Sequence, residues 1–109
     1  MNIRQETRGA ATLFHVDGRL DSSTAGGLEQ PLLAKIPEGG TIVVDLGQVR
    51  YVSSAGLRVF LRAAKAAKGS NARLVLTGLS DDVREVFDIS GFTALFAILP
   101  SIDEALAAG

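Results

Sequence analysis

Ser53 and Ser54 stand directly before a helical repeat of apolar residues, where a hydroxyl can do two kinds of chemistry. It can accept a hydrogen bond from the N–H groups that the first turn of a helix leaves without partners, which stabilises a helix by about 1 kcal/mol. It can also carry a phosphate, because the amino end of a helix holds about half a unit of positive charge along with those free donors. A phosphate there alters a surface and leaves the fold standing. Ala55 and Gly56 follow, two very small side chains that leave the hydroxyls open to an approaching protein. Glycine costs roughly 1 kcal/mol inside a helix, so Gly56 points to a close approach or tight packing.

Other candidate chemistries are weaker. Asp21-Ser22-Ser23-Thr24 is a second cluster of capping residue types and is expected to cap the first helix. His15 is the single histidine, on a strand-like segment with no acid evidently placed to orient it. The hydrolase elbow Gly-x-Ser-x-Gly is absent, since the segment reads Val52-Ser53-Ser54-Ala55-Gly56. One histidine without cysteine does not make a zinc site of a common kind. Gly39-Gly40 lacks the lysine and helix start of a phosphate-binding loop, and no dinucleotide fingerprint occurs. No catalysis, metal or cofactor is expected.

These residues need elements to position them. Ile3–Thr7 and Ala11–Asp17 read as a hairpin around Arg8-Gly9-Ala10. Gly18-Arg19-Leu20 leads into the Asp21 cluster, and Leu28, Leu32, Leu33 and Ile36 recur at helical spacing until Pro37-Glu38-Gly39-Gly40. Thr41–Leu46 is a β-branched, nearly continuous apolar run, as in a central parallel strand buried on both faces. After a loop, Leu57, Phe60, Leu61, Ala64 and Ala67 form one helical stripe opposite Arg58, Arg62 and Lys65, and Gly69 closes that helix. Arg73–Thr77 is another buried strand, followed by a helix that Ser80-Asp81-Asp82 caps and Gly91 breaks. Phe96–Leu99 gives a last strand, and Pro100-Ser101 starts a helix through Leu106. Tyr51 and the five phenylalanines are assigned to the core.

This order predicts an α/β fold: a single domain over residues 1–109, a mainly parallel central sheet, an N-terminal hairpin strand and about four helices. In such sheets the connections leaving the carboxyl ends of the strands gather on one edge, where sites usually lie. Here they are Gly18–Asp21, Gly47–Ser54 and Gly78–Asp81, and each ends in a helix N-terminus.

Composition narrows the function further. The apolar fraction of 47% and charged fraction of 21% are those of a globular domain. Eleven basic residues nearly balance twelve acidic ones, so no general field attracts nucleic acid or an anionic membrane. The absence of cysteine excludes a disulfide framework. The polar start at Met1–Glu6 is not a signal peptide. The longest uncharged run, Ile89–Ile102, falls short of the roughly 20 apolar residues that a membrane helix needs. A cytoplasmic protein without membrane insertion is expected, a monomer or weak dimer.

Val43-Val44-Asp45-Leu46 followed by Val49-Arg50-Tyr51-Val52-Ser53-Ser54-Ala55-Gly56-Leu57 resembles the signature of the STAS domain, and within it the bacterial anti-sigma factor antagonists. Gly18-Arg19-Leu20-Asp21 with Thr24-Ala25, and Val86-Phe87-Asp88-Ile89-Ser90-Gly91, extend the resemblance along essentially the whole chain. It implies a protein that binds an anti-sigma factor serine kinase and so frees a sigma factor. Phosphorylation by the kinase dissolves the complex, and a metal-dependent serine phosphatase restores it. In the family motif the acceptor serine falls at Ser54, with Ser53 a secondary acceptor. The chain departs from the motif in three places: Ser53 replaces a common aspartate, Ala55 a common serine or threonine, and Arg58 a frequent small residue.

The docking surface expected on this basis comprises Asp21, Ser22, Ser53, Ser54, Gly56, Leu57, Arg58, Val59 and Arg62, with Lys65 on the same basic face. Val59 lies between the buried and basic faces, as an apolar contact or a partly buried residue. Two other functions remain open for the fold. One is a structural STAS subunit of a bacterial lipid-transport complex with an ATPase; the other is a sensor of a small ligand or nucleotide at the same edge.

Overall fold

In the computed structural model, which describes residues 1–108, the nearly continuous apolar run Ile42–Leu46 lies at the middle of the sheet. The elements are β1 (Asn2–Arg8), β2 (Ala11–Leu20), α1 (Ala25–Lys35), β3 (Gly40–Val52), α2 (Ser54–Gly69), β4 (Ala72–Thr77), α3 (Asp81–Ile89), β5 (Ala97–Leu99) and α4 (Ile102–Ala108). The five strands lie in the order β1-β2-β3-β4-β5. β1 and β2 form the antiparallel hairpin, and all later pairings are parallel.

Alternation along the strands divides the core in two. Phe14, Val44 and Leu76 point to the face packed by α1, α2 and α3. Leu13, Val43 and Val75 point to the other face, where α4 covers them with Ala105. Burial on both faces explains why Ile42–Leu46 reads as a nearly continuous apolar run. Phe60, Phe87 and Phe96 meet at centroid distances of 5.6 to 6.4 Å and tie α2, α3 and the approach to β5 together. Helix α1 contains Gly26, Gly27 and Pro31, all poor helix formers. It is held by tertiary packing: Leu28, Leu32 and Ile36 are fully buried.

Two expected boundaries are corrected. Gly18–Leu20 and Gly47–Val52 are strand, where the sequence suggests loops. Pairing continues through Gly18↔Val49, Arg19↔Tyr51 and Leu20↔Val52 after register shifts between His15 and Asp17 and between Gly18 and Arg19. Such bulges break the alternation that marks a strand in sequence. Gly18, with φ +117°, supplies the backbone conformation that this stretch needs.

Candidate functional site

Because β2 and β3 stay paired beyond their apolar runs, as far as Leu20↔Val52, they end together beneath the start of α2. The N–H of Ser53 donates to the Leu20 carbonyl at 2.8 Å. Ser53 then takes extended backbone angles as the N-cap of α2, and its Oγ accepts from the Gly56 N–H at 3.3 Å. Serine and aspartate cap helices about equally well, so Ser53 caps α2 without bringing a charge. Ser54 is the first residue of α2; it is exposed and takes no part in the cap.

Gly56 resolves to tight packing. A Cβ there would lie 3.0 Å from Val52 Cγ1 and 3.1 Å from both the Cβ and the carbonyl oxygen of Leu20. This contact seats the first turn of α2 on the ends of β2 and β3. Leu57 and Val59 go into the core, only 5% and 3% exposed. Leu57 thus lies on the expected buried stripe, Val59 is buried rather than half-exposed, and Gly56 is buried as well. The cause is helical spacing: Val59, Phe60, Ala63 and Ala67 follow Gly56 at i+3, i+4, i+7 and i+11 on the side that faces the sheet.

The charged face of α2 also divides. Arg62 Nη1 donates to Glu29 Oε2 of α1 at 2.8 Å, so this arginine braces two helices. Arg58 is exposed and forms no ion pair among the described residues, and Lys65 is exposed too. The first turn of α2 carries no acidic residue, whereas α3 opens with Asp81 and Asp82. The positive end of the α2 dipole is thus uncompensated at Ser54.

Asp21 does not cap α1 by its side chain. The N-cap is Thr24, which has helical backbone angles and makes no side-chain cap bond. Instead Asp21 Oδ1 accepts from the Ser23 N–H at 3.0 Å and the Ser23 hydroxyl at 2.7 Å, folding a local turn. The Ser23 hydroxyl, then its N–H, hold the Asp21 carboxyl below its ordinary value. Thr24 Oγ1 donates to the Arg19 carbonyl at 2.7 Å and locks this turn to the end of β2. Asp21 directly follows Leu20, so the turn lies beside the start of α2, with Ser22 exposed on it.

Three residues at this edge escaped the sequence reading. Tyr51, assigned to the core, is 40% exposed. The Arg19 guanidinium sits over its ring, 4.4 Å from the centroid. Arg19 and Arg50 also line a cavity of about 410 Å³ together with Met1, Gly18, Asp21 and Thr24. The sequence signal was the break in alternation at Arg50-Tyr51, which turns both side chains outward.

His15 lies elsewhere, on the α4 face of the sheet. Acids that the sequence did not reveal flank it: Nε2 is 2.9 Å from Glu6 Oε1 and Nδ1 is 3.1 Å from Asp45 Oδ2. Both ring nitrogens are therefore engaged, and neither is directed to a serine. Among the described residues no group of three or more histidines and acids could hold a metal ion, and no helix is long and apolar enough to cross a membrane.

Comparison with known proteins bears on the family and the fold. Residues 3–100 match the family model described as "Mlab, STAS domain". A Bordetella bronchiseptica protein carrying the name anti-sigma factor antagonist BtrV is 44% identical over 94 residues, covering 85% of this chain and 81% of that protein. An anti-sigma-B factor antagonist from Listeria monocytogenes is 35% identical over 103 residues, covering 90% of each chain. The crystal structure of an anti-sigma factor antagonist from Mycobacterium paratuberculosis superposes with a TM-score of 0.86 at 23% identity, covering 98% of this chain and 92% of that one. On a family match that runs through nearly every element described above, the chain belongs to the STAS domain family.

Proposed function

We propose that this chain is an anti-sigma factor antagonist that acts by partner switching in the cytoplasm, as one domain over residues 1–109. Its unphosphorylated form binds an anti-sigma factor that is also a serine kinase and frees a sigma factor. Phosphorylation of Ser54 abolishes the binding, and a metal-dependent serine phosphatase restores it. The chain is substrate and ligand, not enzyme; the ATP belongs to the kinase.

The observation that carries this reading is the division of labour between the two serines. Ser53 is held in the helix cap, while Ser54 is exposed at a helix start with no acid in its first turn. Ser54 is accordingly the acceptor and Ser53 the structural partner. A phosphoryl group adds about −1.5 to −2 charges at one point, and the free N–H groups of α2 stabilise it in the isolated domain. In a complex that covers Ser54, the same charge is desolvated or faces partner carboxylates, and the complex dissociates. The docking surface is Ser54, Arg58, Ser22 and the Asp21 turn, extended by Arg19 and Tyr51, with Gly56, Leu57 and Val59 as its foundation.

Intact-mass spectrometry of the protein from its native cells, with fragmentation across Val52–Leu57, tests this. The expected result is one phosphate, on Ser54. The same fold leaves a second reading, an unswitched STAS subunit of a lipid-transport complex. That reading requires an unmodified Ser54 under every growth condition and co-purification with membrane transport subunits.

A further inference from the structure

β1 is an edge strand that no proline, bulge or brevity blunts. It pairs with β2 along its whole length, Asn2 to Arg8, and its other side has no neighbour in the sheet. Edges are commonly blunted by proline, by a bulge, by brevity, as in the three-residue β5 at the opposite edge, or by charge, which β1 carries at Arg4, Glu6 and Arg8. β1 spans 7 residues, contains no proline and keeps an unbroken register with β2. Its hairpin closes through the two-residue loop Gly9-Ala10 between the partners Arg8 and Ala11. In a loop of that length the closing pair is hydrogen-bonded, and hydrogen-bonded pairs then alternate along the ladder. Arg8, Glu6, Arg4 and Asn2 therefore turn their main-chain groups toward β2. Thr7, Gln5 and Ile3 turn theirs outward, as a free template.

The side chains favour a particular occupant. A second copy related by a two-fold axis approaches antiparallel, since a closed dimer presents the same patch from both sides. Matching outward groups to outward groups leaves few registers. Centring the pair on Arg4 sets arginine against arginine, and centring it on Glu6 sets glutamate against glutamate. Both are unfavourable, because like charges directly opposite repel. Centring it on Gln5 overlaps the whole strand, places each Arg4 opposite a Glu6, and sets Ile3 against Thr7. Arg4 is exposed and has no ion-pair partner among the described residues. Glu6 bonds His15 and Arg8 within its own chain, yet its side chain keeps 33% exposure toward solvent.

We infer that the outer edge of β1 is a self-association surface, on which two copies join antiparallel about Gln5 with Arg4 of each chain on Glu6 of the other. The two sheets become one continuous sheet. Ser54 follows β3, which β2 separates from this edge, so each copy in the dimer keeps its own Ser54 off the shared seam. A bivalent particle engages a dimeric partner with an avidity that neither site has alone.

Sedimentation velocity between about 10 µM and 1 mM, with amide hydrogen exchange on the same samples, tests the inference. The expected result is a concentration-dependent dimer in which protection rises at Ile3, Gln5 and Thr7 and not at Arg4 or Glu6. Gln5→Pro removes an outward N–H and leaves the β2 ladder intact, and should weaken association at least about tenfold. Arg4→Glu and Glu6→Arg should each weaken it, and an equimolar mixture of the two variants should associate again. A wild-type monomer at about 1 mM overturns the inference, as does a dimer that Gln5→Pro leaves unchanged. Protection of β1 arising only in a complex with another protein would assign the edge to a foreign strand and overturn it as well.

Discussion

The N–H of Ser53 donates to the carbonyl of Leu20 at 2.8 Å, which makes the end of β2 and the start of α2 one mechanical unit. Gly56 packs on the same Leu20 from one turn further along the helix. The exposed serine therefore rests on a support fixed at two points, and substitutions in the support and at the serine should have separable effects.

Gly56→Ala is expected to destabilise the fold. The new methyl gains up to about 1 kcal/mol of helix propensity. Against this, it meets Val52 Cγ1 at 3.0 Å and the Leu20 main chain at 3.1 Å, and crowding of that kind costs about 1–3 kcal/mol. A net loss of about 1 kcal/mol should appear as a lower urea midpoint with an unchanged slope, and Gly56→Val should lose more. A stability gain in Gly56→Ala would show that α2 can lift from the sheet without penalty.

The two serines should differ in the same measurement. Ser53→Ala removes the side chain that caps α2 and should cost about 1 kcal/mol. Ser54→Ala removes an exposed hydroxyl outside the cap and should stay within about 0.5 kcal/mol of the parent. Equal losses would mean that the cap is shared.

Much of the architecture was legible because local pattern and tertiary fate coincide. Ile42–Leu46 reads as a doubly buried strand and is one, and the stripe beginning at Leu57 and Phe60 reads as the buried side of α2. Legibility failed where geometry departs from ideal periods. The bulges near Asp17 and Gly18 hid the ends of β2 and β3, and with them the outward turn of Tyr51. Val59 reads as lying between the two faces, although Gly56, Val59, Phe60, Ala63 and Ala67 form the i, i+3, i+4, i+7, i+11 stripe that α2 buries. The surroundings of His15 come from Glu6 and from Asp45, 30 residues away, and only pairing of three strands brings them together. At the site, Ser54 was readable as an exposed helix start, whereas the role of Asp21 was not, because a turn and a cap draw on the same residue types.

Acid should weaken the fold through Glu6 and Asp21. Hydrogen bonds from His15 and then Arg8 hold the Glu6 carboxyl below its ordinary value of 4.5. The Ser23 hydroxyl and N–H do the same for Asp21, below 3.8. A carboxyl whose folded value is depressed stabilises the fold above its unfolded value, and that contribution is lost as pH falls through the folded one. Stability should thus be level with respect to these groups above about pH 5 and decline through pH 4 and below. Glu6→Gln keeps an acceptor for His15 without a titrating proton, so its acid limb should be shallower than the parent's. Identical acid limbs would remove Glu6 from this account.

Ser54→Glu should separate folding from binding by sign. A negative charge on the first residue of α2 meets the uncompensated positive end of the helix dipole, and Arg58 stands one turn further on. Such a charge typically stabilises by about 0.3–1 kcal/mol, so thermal or urea midpoints should rise slightly. In the complex with the cognate anti-sigma factor the same carboxylate is desolvated, and affinity measured by calorimetry should fall at least about tenfold, a loss of about 1.4 kcal/mol or more. Ser54→Ala should keep the parent affinity and lose the response to kinase and ATP. The two variants together discriminate between accounts. If Ser54→Glu bound as tightly as the parent, charge at this position would not be the switch. If Ser54→Ala bound as poorly as Ser54→Glu, the hydroxyl itself would be a required contact, and the partner would recognise the serine rather than be repelled by its phosphate.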